Sequence, residues 1–319
     1  MDLLMDGSKS IVRDGFGQAI LELGNKYHDL IVVTADLKYP TRVHKFAEKY
    51  PDRFYDTGVA EQNMIGVSAG LAHSGLRVFS CDYASFLVFR SAEQIRIDIA
   101  YTDVPVKIMA LSSGLTFGEG GLSHQTIDDL SMLRALPNMT IVVPADTVAT
   151  SLATCVAATY NKPIFLRIGR GEEYNVYKTD FDFKIGEMVH LREGNDITFF
   201  AIGPMVYEAL IAAEILAKEG IDAQVYDAHT IKPIDMDTIQ KALEETRLLV
   251  TIEEHSTIGG LGAAVLEALP LNKICPVLRI GIPDCFPLTG PKFEVRAHYG
   301  LDGKSIAEKV KKTCQQLDL

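Results

Sequence analysis

Five short apolar runs constrain this chain more than any other feature. They are LIVVTA (30–35), RVFSCD (77–82), VKIMALS (106–112), TIVVPA (140–145) and IFLRIG (164–169). Apolar residues fill successive positions, so a strand formed there has no face fit for water. Between the runs lie GFGQAILELGNKY, EQNMIGVSAGLAHS, RSAEQIRIDIAY and TVATSLATCVAATY, with apolar residues at helical spacing. Strands buried on both faces and alternating with helices predict an α/β fold, a mostly parallel sheet flanked by helices.

The rhythm breaks at GRGEEYNVYKTDFDFKIGEM (169–188), a polar stretch with Gly, Asn and Asp that reads as an interdomain connection. A second alternating series follows, from DITFFAIG through LLVTIEE and PVLRIGI to SIAEKVKKTC. The division expected is a first α/β domain over 1–175, a linker over 176–189 and a smaller α/β domain over 190–319. Within the latter, YDAHTIKPID reads as a strand end turning at Pro233 into a helix. A chain of 319 residues is long enough for two full cores.

Composition excludes several classes. The net charge of −11, without a dense Lys/Arg block, argues against nucleic acid or an anionic membrane as the main partner. No apolar run reaches membrane-spanning length and no signal-like segment opens the chain. The five cysteines are scattered, odd in number and lack a CxxC, which disfavours a disulfide framework or a structural zinc. Cys155, in an apolar helical run, reads as a core residue. The expected compartment is a reducing cytoplasm.

In parallel α/β sheets, functional residues collect at the carboxyl ends of the strands. Asp36, Asp82, Ser112 and Arg170 all follow strand candidates, and Glu61 opens a helix in TGVAEQNM. Glu61 is either a helix-start acid stabilised by the dipole or a desolvated carboxyl whose raised pKa suits proton sharing with a ring nitrogen. Tyr83, Phe86 and Phe89 recur every third residue, as core packing or as a face that stacks on a flat heterocycle. The loop LSSGLTFGEGGLSHQ carries Gly114, Gly118, Gly120 and Gly121, which permit close backbone approach. It ends at His124, a proton-transfer candidate, with Ser123 as a possible cap for the helix expected to follow. His28, His44, His73, His190 and His298 have no ligand-like spacing.

In this order, TGVAEQNM, YASFLVFRSAEQIR, GLTFGEGGLSHQ and FLRIGRG resemble the pyrimidine-binding domain of transketolases. YDAHTIKPID and TIEEHSTIGGLGAAV resemble the transketolase C-terminal domain, so the likeness runs from about Arg13 to the end. The resemblance implies thiamine diphosphate as cofactor. Glu61 would hydrogen-bond a pyrimidine nitrogen and favour the imino form that takes the proton from thiazolium C2, and the carbon nucleophile so formed attacks a ketose carbonyl. Tyr83, Phe86 and Phe89 would be the pyrimidine's aromatic pocket. His124 would sit on the substrate side, as would Ser112. Arg13 and Arg170 would clamp a terminal phosphate, a task suited to a planar fork. Asp36 would lie near the cofactor and the subunit contact. His255 falls in the C-terminal domain, where the family's role is mainly structural and at the dimer contact.

The sequence departs from that pattern on the substrate side. Gly120 stands where the family has an acid, no histidine occurs near Ser112 or Ser113, and KYPT replaces a serine after ADL, with Thr41 a possible substitute. These departures suggest an atypical anionic sugar, phosphorylated, sulfonated or branched. The GDG unit and downstream Asn that hold the cofactor's Mg2+ or Ca2+ in the family are also missing. Asp6-Gly7, Asp14-Gly15 and Asp302-Gly303 lack its setting, so no metal ligand is expected in this chain. The expected assembly is a split transketolase, with an N-terminal subunit supplying the diphosphate domain, in an α2β2 arrangement with sites between chains. The alternatives are a deoxyxylulose-phosphate synthase-like or 2-oxo-acid dehydrogenase beta-like subunit, and a non-catalytic scaffold. The scaffold reading predicts loss of Glu61 or of the aromatic run, and both are present.

Overall fold

The computed structural model describes residues 3–272 and 275–319. The first half runs β1 (Lys9–Ile11), α1 (Val12–Lys26), β2 (Leu30–Thr34), α2 (His44–Lys49), β3 (Phe54–Asp56), α3 (Glu61–His73) and β4 (Arg77–Tyr83). It continues with α4 (Ala84–Arg90), α5 (Ala92–Gln94), a π-helical stretch Ile95–Tyr101, β5 (Lys107–Leu111), α6 (Asp129–Arg134), β6 (Thr140–Val142), α7 (Thr147–Thr159), β7 (Ile164–Arg167) and β8 (Glu172–Tyr174). The second half holds β9 (Val189–Arg192), β10 (Ile197–Ala201), α8 (Met205–Ala217), β11 (Ala223–Asp227), β12 (Thr230–Lys232), α9 (Met236–Glu245) and β13 (Leu248–Ser256). It closes with α10 (Leu261–Ala268), β14 (Val277–Ile282), α11 (Lys292–His298) and α12 (Gly303–Gln316).

The large sheet has the order β12-β6-β7-β5-β4-β2-β3 and is parallel except at β12. Every residue of β2, β5, β6 and β7 is buried, as runs without alternation require. The smaller sheet, β14-β13-β10-β11-β9, is parallel except at β9. Helix α1 crosses α7 closely at Gly15, where a Cβ would stand 2.4 Å from the Thr147 carbonyl oxygen. Cys155 corrects the expectation of a core cysteine. The buried face of α7 is Ala149, Thr150, Ala153, Thr154, Ala157 and Ala158, and Cys155 falls on the exposed side.

Two features join the halves in ways the polar pattern conceals. Strand β12, from the second half, adds antiparallel to β6 at the edge of the first sheet. The stretch expected to be a plain polar connection is pinned by β8 against β1 and by Val176, Tyr177 and Phe183, all buried. Asp146 caps α7 through the Ala149 N–H at 2.9 Å and accepts the Val176 and Tyr177 N–H groups at 2.8 and 2.9 Å.

A buried ionic seam runs between the halves. Arg296 of α11 donates to Glu173 of β8 at 2.6 and 2.9 Å and to Glu254 of β13 at 2.5 Å. Lys292 also donates to Glu173, at 2.7 Å. Burial would raise the Glu173 carboxyl, but Arg296 and Lys292 outweigh it and hold it below its ordinary range. Arg167 of β7 donates to Asp129 of α6 at 2.8 Å and to the Glu254 carbonyl at 3.2 Å. Breaking a buried ion pair by removing one partner leaves an uncompensated charge. Arg296→Met should therefore destabilise the chain by about 3–5 kcal/mol in urea denaturation. A loss below about 1 kcal/mol, the range of an exposed pair, would show that the seam does not hold the halves together.

Candidate functional site

Glu61 begins α3 at the edge of the large sheet where its strands end, and is 2 % exposed. Its charge has a partner that sequence spacing does not reveal. The Arg90 guanidinium, at the end of α4, donates from Nη1 to Glu61 Oε1 at 2.6 Å. Oε2 is buried and has no hydrogen-bond partner. Arg90 also lies over the Phe86 ring, 5.1 Å from its centroid.

Asp82, the penultimate residue of β4, is a second buried carboxyl in the same place. Its Oδ1 accepts the Tyr83 N–H at 2.6 Å, while Oδ2 is buried and unpartnered. Burial pushes its pKa up to about 8, and the charge of Glu61 adds to the rise. Two buried carboxyls thus share one place, one bound by Arg90 and the other pushed toward its neutral form by burial.

Rings gather beside these acids. Tyr83 is the N-cap of α4 and lies 5.9 Å from Phe86, centroid to centroid. His124 stands edge-on to Phe117, Phe86 and Tyr83 at 4.9, 5.3 and 6.0 Å. Phe117 is outside the three-residue spacing because it reaches the cluster from the glycine-rich loop. Phe89 does not join the ring contacts. It is 46 % exposed and lines a separate hollow of about 230 Å³ with Leu122, Ser123 and Phe286. Every third residue drifts around a helix, which carries Phe89 away from Tyr83 and Phe86.

The loop itself is a short 3-10 turn, Gly118–Gly120, followed by turns, and α6 starts only at Asp129. Ser123 therefore caps no helix, contrary to expectation. Its hydroxyl lies 2.9 Å from His124 Nδ1 instead. The second half of the chain braces the loop. Gln125 Nε2 donates to the Leu288 carbonyl at 2.8 Å and the Gly290 N–H to the Gly118 carbonyl at 3.2 Å. A Cβ on Gly118 would meet the Gly290 oxygen at 2.2 Å, and one on Gly120 would press on His124 Cβ at 2.9 Å.

The two arginines reach the same region. The Arg170 guanidinium carbon stands 3.4 Å from the Phe117 centroid. Arg13 is half-buried and donates to the Pro40 carbonyl at 2.9 Å. Burial lowers its pKa, and the nearby Arg42 and Arg170 lower it further, so three cations crowd one place. Ser112, just past β5, is buried at φ 59° with its hydroxyl unpartnered. Such strain at a strand end is typical of functional edges. Asp36 also has a positive φ, 64°, but is exposed, and its N–H donates to Asp56. His255 is fully buried beside Asp129 and Glu253, both at 3.8 Å, and burial lowers its pKa to about 4. Among the described residues no cluster of three His, Cys, Asp or Glu could hold a metal ion.

The state of Asp82 is open to measurement. An acid whose folded pKa is raised gives stability that is complete below its unfolded value, near 4, and lost as pH climbs toward 8. Asp82→Asn should therefore gain stability over the parent progressively between those values, by up to roughly 1.4 kcal/mol per pH unit. Parallel stability–pH curves for the two proteins would contradict a buried acid at this position.

Comparisons with known proteins agree with this architecture. Residues 9–174 match the transketolase pyrimidine-binding domain and residues 186–306 the transketolase C-terminal domain. The chain is 42 % identical over 297 residues to a subunit of the apulose-4-phosphate transketolase of Phocaeicola vulgatus, covering 93 % of this chain and 95 % of that protein. It is 36 % identical over 295 residues to the 6-deoxy-6-sulfo-D-fructose transketolase subunit SqwH of a Clostridium species, covering 92 % of each. A solved split-gene transketolase, described as an inactive β4 tetramer, superposes with a TM-score of 0.87 at 38 % identity, over 95 % of this chain and 97 % of that one. The chain belongs to the transketolase family, and it carries that family's pyrimidine-binding and C-terminal domains.

Proposed function

We propose that this chain is the half of a two-chain transketolase that grips the pyrimidine of thiamine diphosphate, and that its substrate is an anionic sugar outside the common pentose-phosphate pair. The observation that carries the reading is the Glu61 carboxylate. It is buried, bound at one oxygen by Arg90 and without a partner at the other, and Arg90 in turn lies over Phe86, whose ring neighbours Tyr83 and His124. Those residues suit an aminopyrimidine, which offers a ring nitrogen to Glu61 Oε2 and a flat face to the rings. When bound, the cofactor supplies a carbon nucleophile for a ketose carbonyl.

This chain's own residues do the rest. Glu61 holds or returns a proton at the pyrimidine nitrogen. Tyr83 and Phe86 exclude water from that face, and Phe89, outside their cluster, lies closer to the rim. His124 hydrogen-bonds the sugar and moves a proton at its hydroxyl or carbonyl oxygen. Ser112 offers its unpartnered hydroxyl. Arg13 and Arg170, close enough to repel one another, receive the anionic end of the sugar. Asp36, exposed at the edge, meets the neighbouring subunit.

The diphosphate and its Mg2+ or Ca2+ need oxygen ligands that this chain lacks in sequence, so a separate N-terminal subunit supplies them, in an α2β2 enzyme of the cytoplasm. The description of the solved relative as an inactive β4 tetramer supports that dependence. The names of the relatives, one for apulose 4-phosphate and one for 6-deoxy-6-sulfo-D-fructose, support an atypical substrate. Gly120, which leaves no side chain beside His124, agrees with them.

The purified chain should show no ketol transfer until the N-terminal subunit is added, and full turnover by the lone chain would refute the split. In the assembled enzyme Glu61→Gln should lower turnover by at least about 10²-fold, the lower range for loss of a proton-transfer group. Unchanged turnover would favour a scaffold. Across phosphorylated, branched and sulfonated ketoses, an atypical sugar should give the highest kcat/KM. Preference for xylulose 5-phosphate would remove the substrate proposal. Consumption of pyruvate would favour the deoxyxylulose-phosphate synthase reading, whose relative in Halothermothrix orenii is 35 % identical but is matched over only 46 % of its own length.

A further inference from the structure

Resting on the reading of Glu61 as the acid at the pyrimidine, we propose that Arg90 is its positioning residue: by binding Oε1, Arg90 fixes the carboxylate's rotation, presents Oε2 to the ring nitrogen, and sets how tightly the acid and the ring together hold their shared proton.

Three observations converge on Arg90. Its Nη1 donates to Glu61 Oε1 at 2.6 Å, whereas Oε2 remains buried and unpartnered. A carboxylate gripped at one oxygen by a planar cation has little rotational freedom left. The same guanidinium lies over Phe86, 5.1 Å from the ring centroid, so it also braces the aromatic wall. Finally, the two ends of the pair sit in different media. The Glu61 side chain is 3 % exposed and that of Arg90 is 51 % exposed, so the cation remains hydrated while its charge acts on a dry carboxylate. An arginine in this position costs little to hold and cannot lose its proton.

The charge has a predictable effect. A neighbouring cation disfavours adding a proton to a carboxylate. Once Glu61 and the pyrimidine nitrogen share a proton, Arg90 lowers the affinity of the pair for it. Asp82 of β4 also interacts with Glu61 and acts in the opposite sense when ionised. Asp98, in the π-helical stretch, lies beside Gly66, more than a turn further along α3. Asp82 is common to all the variants compared below, so differences among them report Arg90.

The test uses the assembled two-chain enzyme loaded with thiamine diphosphate. Circular dichroism follows the balance between the amino and imino forms of its pyrimidine against pH, and calorimetry gives the cofactor affinity. Arg90→Gln should raise the midpoint of the tautomer transition by about one pH unit, the size of a tenfold change in proton affinity. It should also weaken cofactor binding by roughly tenfold, as losses of orienting partners do elsewhere. Arg90→Lys should keep the midpoint within a few tenths of the parent's, because the charge remains, while binding weakens with the lost fork. A purely structural arginine would change stability or affinity and leave the midpoint in place. An Arg90→Gln midpoint equal to the parent's therefore overturns the proposal. If that variant does not assemble, an Arg90→Lys midpoint displaced by a full unit overturns it as well. Glu61→Gln separates the two levels of inference. If the tautomer signal survives that change, the pyrimidine reading itself is wrong. If the signal is lost but Arg90→Gln moves nothing, only the role of Arg90 fails.

Discussion

A charge buried in a protein interior costs several kcal/mol unless a partner compensates it. Glu61, at 2 % exposure, meets that condition with a single arginine and only at one of its two oxygens. The site is organised around this incomplete compensation. The parallel sheet places the start of α3 and the end of β4 side by side, which brings Glu61, Asp82 and Tyr83 to one edge. The short helix α4 then returns Phe86 and Arg90 to the same spot. An unpartnered oxygen in a dry, ring-lined place is an expensive feature for a purely structural acid, and a fitting one for an acid that awaits a ring nitrogen.

The second half of the chain contributes to that edge without lying in the ring cluster. The buried seam of Arg296, Glu173 and Glu254 fixes the halves, and the 288–290 segment then supports the loop that carries His124. Glycines at 118 and 120 make the close approach possible, since side chains there would strike the Gly290 carbonyl and His124. Geometry around His124 is thus set partly by a domain that holds none of the proposed proton-transfer groups.

Much of this architecture is legible in the sequence. Runs such as LIVVT and KIMAL declare themselves as strands because apolar residues fall on both faces, and Glu61 does open its helix. What stays hidden depends on contacts between distant residues. Arg90 and Glu61 are 29 positions apart, and no periodicity links them. Strand β12 is three residues long and owes its place to the free edge of β6. The stretch after Arg170 reads as a connection because its polar residues outnumber the aromatics that anchor it. Cys155 and Phe89 depart from expectation for a common reason, since apolar identity says little about which side of a helix faces inward. For Arg13, Arg170 and Ser112, proposed to meet the sugar, only residue types can be read along the chain, whereas their arrangement arises from three separate segments.

Everything at this site turns on where the Glu61 carboxyl points when a cofactor is present. A crystal structure of the two-chain enzyme with thiamine diphosphate measures this directly. Glu61 Oε2 should lie within hydrogen-bond distance of a pyrimidine ring nitrogen, about 2.6–3.1 Å, with Oε1 still on Arg90. A carboxyl turned to bulk water, with no heterocycle beside it, would contradict a role for this acid in holding the cofactor.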